Sequence, residues 1–343
     1  MIRPSVINGL DGLSTKEILA QGRDLNFVVE RRKIAMSPRP EDQHAVMREG
    51  IPVAGYRAIV RGDTGRVFQV ATTDYQVLQN EQIVDFMREF AAAGGGTFQQ
   101  VGTFKAGAVI YAMVKLKVGT MDIKGGARLE SYAMIATSHD GSIATRVKPT
   151  SVYVVCWNTF MMALAQKVAR QFSLRHTSKW TAQKAAEARM VLDLAAERVQ
   201  EANEGSMKLA KVTGFDQKAQ VEYVSRLLNG ESLLQQVVAN SEAKLDHAAL
   251  LDQIVAVEDA KVEKDPLGRI GRQILQAIVD SPGANMPASK DTLWGAFNGV
   301  TYFADHVRGR SEDTRGFASQ FGEGDRLKAQ AFELALKMAT EGA

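Results

Sequence analysis

Residues 108–118 alternate between two kinds of side chain, and this pattern constrains the fold more than any other part of the sequence. In a strand, successive side chains point to opposite faces of the sheet. The residues that would share one face are all apolar: Ile110, Ala112, Val114, Leu116 and Val118. The residues that would share the other face are Tyr111, Met113, Lys115 and Lys117. The pattern predicts a strand with one face in a core and a second face that carries aromatic and basic side chains.

Neighbouring strand patterns predict that this strand belongs to an antiparallel sheet. They cover residues 98–104, 129–137, 143–148 and 151–155. The pair Asp140-Gly141 indicates a hairpin turn. Pro149 is expected to interrupt the sheet between the last two of these strands, because proline cannot donate a ladder hydrogen bond. A helix with Asn80 as its N-cap precedes the sheet, and a helix with Asn158 as its N-cap follows it.

The rest of the chain divides into an N-terminal arm and a helical region. Residues 14–25 contain a helix start with Ser14 as N-cap and Glu17 in a capping box. From residue 181 onward the periodicity is helical, and helices are predicted over 181–212, 218–228, 292–306 and 326–340, with others around 232–238 and 245–258. The sequence therefore predicts an α+β protein: an arm at 1–50, an α+β core with an antiparallel β-meander at 51–180, and a helical region at 181–343.

Composition places the chain among soluble globular proteins. Of its 343 residues, 45% are hydrophobic and 24% are charged. The single cysteine, Cys156, excludes an intramolecular disulfide and fits a reducing compartment. No stretch approaches the roughly 20 apolar residues of a membrane span, and the N-terminus lacks a signal-peptide core. We therefore expect a cytoplasmic protein.

Charge is distributed unevenly along the chain. Residues 97–190 contain 13 Lys and Arg against four Asp and Glu, although the whole chain carries only +3. A basic segment of this kind favours a polyanionic partner. The alternative is that these charges are spread over several faces and only solvate them.

The sequence offers no catalytic constellation, so we predict that the protein is not an enzyme. It contains no phosphate-binding loop of the Walker type and no Cys/His cluster with zinc spacing, so no cofactor or metal is expected. Ser138, His139 and Asp140 are adjacent in the chain and cannot form a triad among themselves. His139 is interpreted as a turn residue and Cys156 as a core residue.

The basic segment interleaves cations with aromatic residues, which is the pattern of a single-stranded DNA groove. Cations would follow the phosphates and aromatic rings would stack on bases. The predicted phosphate contacts are Lys115, Lys117, Arg128, Arg146, Lys148, Lys167, Arg170, Arg175 and Lys179. The predicted stacking residues are Tyr111, Tyr132 and Tyr153. The alternative is an ordinary amphipathic sheet with snorkelling lysines and edge tyrosines.

Four sequence runs resemble one protein family. They are YAMIATSHDGS at 132–142, VYVVCWNT at 152–159, LRHT at 174–177 and TLWGAFNGVTY at 292–302. Together they resemble the phage/plasmid-like protein family, domain of unknown function 932, from about residue 13 to the C-terminus. The resemblance implies a phage or plasmid setting and no established activity. Tyr153 departs from the pattern, since an arginine is expected there.

The order helix, antiparallel meander, helix is also similar in topology to single-strand annealing recombinases of the RecT/Redβ and ERF type. This similarity rests on element order and charge alone. It implies a ring or filament that holds single-stranded DNA without a nucleotide cofactor, with a phage exonuclease as a possible partner. Our hypothesis is a DNA-binding and strand-annealing protein. The alternatives are a phage interaction protein without DNA affinity, and an enzyme that uses Cys156 or His139.

Overall fold

The computed structural model describes most of the chain. The described residues are 7–8, 10, 12–22, 24–36, 51–117, 120–123, 127–153, 158–160, 172–229, 267–309 and 311–341. Several predictions lie outside them, among them the body of the helix after Asn158 and the helices expected near residues 232–238 and 245–258.

Strands dominate the first half of the chain and helices the second. The strands are β1 (Ile7–Asn8), β2 (Val29–Arg32), β3 (Ala35–Met36), β4 (Ile51–Pro52), β5 (Tyr56–Arg61), β6 (Val67–Thr72), β7 (Gly96–Phe104), β8 (Val109–Leu116), β9 (Met121–Ile123), β10 (Ala127–Ser138), β11 (Thr145–Tyr153), β12 (Asn158–Phe160) and β13 (Ser173–Leu174). The α-helices are α1 (Thr15–Gln21), α2 (Asn80–Phe90), α3 (Ala182–Lys211), α4 (Gln217–Asn229), α5 (Gly268–Asp280), α6 (Leu293–Tyr302), α7 (Glu312–Phe321) and α8 (Glu323–Glu341). The α+β class with a helical C-terminal region is confirmed.

The main sheet is antiparallel and has the strand order β1-β7-β8-β10-β11-β12. The prediction that Pro149 interrupts it is wrong, because β11 runs through Pro149, which lies opposite Ala133. On its other side β11 pairs with β12 at residues 151–153 and with β13 at residues 145–146, so Pro149 falls between these two partners. A missing N–H costs no ladder hydrogen bond at such a position.

Both faces of the main sheet are covered. On one face Ile110, Ala112 and Val114 pack against α1, α2 and the start of α3. On the other face Tyr111 and Met113 form a second cluster with Phe317 and Phe321 of α7. The sequence predicted no element that would cover the face with the aromatic and basic residues. In the structure α7, about 200 residues further along the chain, covers it.

Three residues test the capping predictions. Ser14 begins α1, and its hydroxyl and Glu17 form the expected capping box. Asn80 is not a cap: α2 begins after Gln79, and Asn80 is buried with its amide donating to the Leu25 carbonyl. Asn158 lies in β12, opposite Tyr153, rather than at a helix N-cap.

A third cluster forms the helical region. Helix α6 lies at its centre with every residue from Leu293 to Thr301 buried, and it packs against α5, α3 and α8. Ile123 and Leu129 of the sheet belong to the same cluster, and Ala188 and Leu192 of α3 belong to a sheet cluster. Apolar packing thus runs across residue 181, where the sequence places the boundary of the helical region.

Candidate nucleic-acid interface

The sheet places six of the predicted contact residues on one face. Lys115 lies opposite Tyr132, and Ala136 lies opposite both Tyr111 and Arg146. Because cross-strand partners share a face, the set on the α7 side is Tyr111, Lys115, Arg128, Tyr132, Arg146 and Lys148. The sequence pattern therefore groups these residues correctly, although it does not show what covers them.

The two described tyrosines of this set are buried. Tyr111 is 3% exposed and stacks on Phe104 with a centroid distance of 5.1 Å. Tyr132 is also 3% exposed, and its hydroxyl donates to Glu130 at 2.7 Å. Burial raises the pKa of both phenols. Neither ring offers a face to a DNA base, so the prediction that they stack on bases is corrected. Tyr153 lies in β11, and its side chain is outside the description.

Two of the predicted cations are already neutralised by acids. Lys115 forms an ion pair with Glu130. Burial would raise the pKa of Glu130, but hydrogen bonds from Lys115 and Tyr132 hold it below its ordinary value. Lys148 is buried, donates to the Gln320 carbonyl and lies 3.6 Å from Asp325. Lys148 is therefore a core residue rather than a surface contact.

The other described cations are exposed and lie at two ends of the sheet, and one of them, Arg128, also lies 3.7 Å from Glu130. Arg146 and Arg175 are at the β13 end, since Arg146 pairs with Ser173 and Arg175 follows β13 directly. Lys179 is exposed in the segment that leads to α3. Arg128 lies eight positions from the partner of Arg146 along β10, which corresponds to about 26 Å, and Lys117 follows β8 at that far end. Lys167 and Arg170 are outside the described residues.

A cavity of about 700 Å³ opens at the β13 end. The start of β11 forms one wall, and the junction of α7 with α8 forms the opposite wall. The charged residues that line it are Arg146, Lys148, Asp325, Arg326 and Glu333. Burial lowers the pKa of Lys148, and Asp325 opposes that effect.

Arg146 and Arg326 are the two cations of the cavity for which the described residues show no ion pair. Both are exposed. Asp325 and Glu333 also line the cavity, but within the described parts of the chain neither carboxylate lies within ion-pair distance of either guanidinium. Since one arginine lies on β11 and the other on α8, an anion in the cavity would be attracted by cations of two elements. The cavity is thus a candidate site for an anionic group such as phosphate.

Sequence reasoning missed Arg326. It lies outside the basic segment, in the acidic part of the chain, since residues 191–343 contain 17 Lys and Arg against 23 Asp and Glu, and only the fold brings it to the same cavity as Arg146. The available signal was helical spacing, because Arg326, Gln330 and Glu333 form a polar stripe on α8 and all three line the cavity.

The turn at 139–142 is structural. His139 is 1% exposed, and its Nε2 lies 2.9 Å from the side-chain oxygen of Asn80. The Phe68 ring stacks on the imidazole at 5.7 Å. Burial lowers the pKa of His139 to about 4, which keeps the ring neutral at pH 7. With this burial and these partners, His139 packs as the turn residue that the sequence predicted.

The family model for a domain of unknown function, DUF932, matches residues 67–326. The chain belongs to the DUF932 family. The match covers the main sheet from β7 onward, contains Arg146 and Lys148, and ends at Arg326, so every charged residue of the cavity except Glu333 lies within the DUF932 region. No curated protein and no solved structure matches the chain.

Two absences concern the described residues of this DUF932 protein. These residues contain no cluster of His, Cys, Asp or Glu that could hold a metal ion. No described helix is long and apolar enough to cross a membrane.

Proposed function

We propose that this DUF932 protein binds single-stranded DNA through its phosphates, with the β13 end of the sheet as the binding surface. The observation that carries the proposal is the pair Arg146 and Arg326, which line one cavity from β11 and α8 and, in the described part of the chain, form no ion pair with its carboxylates Asp325 and Glu333. Arg175 and Lys179 extend the positive surface beside the cavity. Cations that follow one edge of a protein suit a flexible backbone that carries one charge per nucleotide.

Strand annealing is the part of the proposal that concerns the bases. A protein that pairs complementary strands must hold the backbone and leave most bases accessible. The buried Tyr111 and Tyr132 provide no stacking platform along the sheet, which fits such a binding mode. The proposal keeps the mobile-element setting, assembly of several copies in a ring or filament, and an exonuclease partner as its further expectations.

The proposal is tested by binding of labelled single-stranded and double-stranded oligonucleotides at low salt, together with an annealing assay on complementary strands. We expect preference for the single strand and faster annealing. Arg146→Gln should weaken binding, whereas Arg269→Gln, an equal charge change at an exposed position on α5 that does not line the cavity, should not. Absence of binding at low salt would reject the proposal and favour a protein partner.

A further inference from the structure

The cavity is larger than a phosphate group requires. Its volume of about 700 Å³ lies within the range of sites for small organic ligands, roughly 300–1,000 Å³. Such sites combine apolar walls with a few placed polar groups. The cavity should therefore hold more of the ligand than the anion between Arg146 and Arg326.

The lining of the cavity is divided between charged and apolar residues. Arg146 and Arg326 supply the positive charge, while Phe172, Ile143 and Phe321 supply apolar surface. Gln330, on the same wall as Arg326, adds an amide that can both donate and accept hydrogen bonds. A nucleotide has the same division, since it joins an anionic phosphate to a flat base with polar edges.

Phe321 is the aromatic residue best placed to meet a base. It is partly exposed, whereas Phe172 is 5% exposed. The Lys148 ammonium lies 5.0 Å from the centroid of the Phe321 ring, Phe104 makes an edge contact with that ring, and Phe317 packs against it at a tilt. The ring is therefore fixed by its neighbours while it lines the cavity. A fixed ring stacks on a base with little loss of conformational entropy.

We propose that the cavity takes one nucleotide of the bound strand, with its phosphate between Arg146 and Arg326 and its base against Phe321. This inference rests on the proposed function, because it names the subsite at which the strand is anchored. The remaining nucleotides follow the exposed cations and keep their bases free.

The experiment compares an oligothymidylate with an abasic oligonucleotide of equal length. The two carry the same number of phosphates, so their electrostatic attraction to the protein is equal. The native protein should bind the oligothymidylate about tenfold more tightly, as expected for one stacked base. Phe321→Leu should remove that difference. Phe68→Leu is the matched control, since Phe68 is also a partly exposed phenylalanine, contacts Phe27 and His139, and neither lines the cavity nor contacts Phe321.

A second measurement needs no variant that could fail to fold. The native protein is titrated with 2-aminopurine deoxynucleoside 5′-monophosphate and with the nucleoside that lacks the phosphate. The nucleotide should bind with quenched fluorescence, and the nucleoside should bind at least tenfold more weakly.

The failures of the two proposals are distinguishable. Equal affinity for the oligothymidylate and the abasic strand, both salt-sensitive, would overturn the nucleotide subsite and leave DNA binding intact. An equal loss of the difference in Phe68→Leu and Phe321→Leu would also overturn it. Failure of both strands to bind would reject the proposed function itself.

Discussion

At the scale of single residues, ion pairing decides which cations can contact DNA. Lys115 and Lys148 look equivalent to Arg146 in the sequence, because all three lie on one face of the sheet. Glu130 and Asp325 neutralise the two lysines, and burial makes exchange of these partners for phosphate costly. Neither acid is close in sequence to the lysine it pairs with. The sequence therefore predicts which basic residues share a face of the sheet, but not which of them form ion pairs.

His139 predicts how stability depends on pH. Its pKa is about 4 in the folded protein because of burial, against 6.5 for an unperturbed histidine. Between about pH 6.5 and pH 4 the unfolded chain binds a proton at this residue and the folded protein does not. The free energy of unfolding therefore falls as the pH falls through this range. Between pH 7.5 and 5 the free energy of unfolding should fall by about 2 kcal/mol from this residue.

Urea unfolding of the native protein and of His139→Gln at both pH values measures this contribution. The variant should lose most of the pH dependence, although the pKa of His176 is also lowered by burial and that residue remains. An unchanged pH dependence in His139→Gln would contradict the assignment.

The buried pair Lys328 and Asp305 predicts a large effect on stability. The atoms Nζ and Oδ1 are 2.7 Å apart, and each side chain is 1% exposed. Asp305→Ala leaves a buried ammonium without its carboxylate and should lower the free energy of unfolding by about 3–5 kcal/mol. Glu187→Ala, which removes the exposed pair with Lys184, should cost less than about 1 kcal/mol. Equal effects in denaturant unfolding would refute the difference.

At the scale of elements, the sequence predicts the strands better than it predicts the helices that cover their faces. The alternation in residues 108–118 correctly divides β8 into two faces, because side-chain direction in a strand is a local property. The covering of the second face is not local: it depends on α7, which contains Gly316 and was not predicted as a helix. Helix α5 was also missed, although Ile274, Ala277 and Ile278 have helical spacing.

The crossing of α5 and α6 depends on a glycine. A Cβ atom at Gly299 would overlap the side chain and backbone of Ile278 on α5. Gly299→Ala should therefore lower the free energy of unfolding by about 1–3 kcal/mol, although alanine is the better helix former. Gly205→Ala on α3 is the control, since its Cβ would meet no backbone atom and its closest neighbour would be the end of the Phe332 side chain at 3.2 Å. Unfolding of Gly299→Ala at the same or a higher denaturant concentration than the native protein would contradict the claim that the crossing requires glycine at this position.

At the scale of the whole molecule, the charged residues are grouped differently in the fold than along the sequence. The basic segment at 97–190 predicted the sheet as the DNA surface, but its cations separate into two groups about 26 Å apart. The acidic part of the chain then supplies Arg326 to one of these groups. The cavity could not be predicted from the sequence, because its two walls are formed by segments about 180 residues apart.

The salt dependence of single-stranded DNA binding tests the central claim most directly. Each phosphate that the protein neutralises contributes about −0.7 to the slope of log K against log salt concentration. If Arg146 and Arg326 hold one phosphate between them, the slope for Arg146→Gln/Arg326→Gln should be shallower than that of the native protein by about 0.7. The slope for Arg269→Gln should equal that of the native protein. An unchanged slope in the double variant would contradict the claim that this cavity binds the strand.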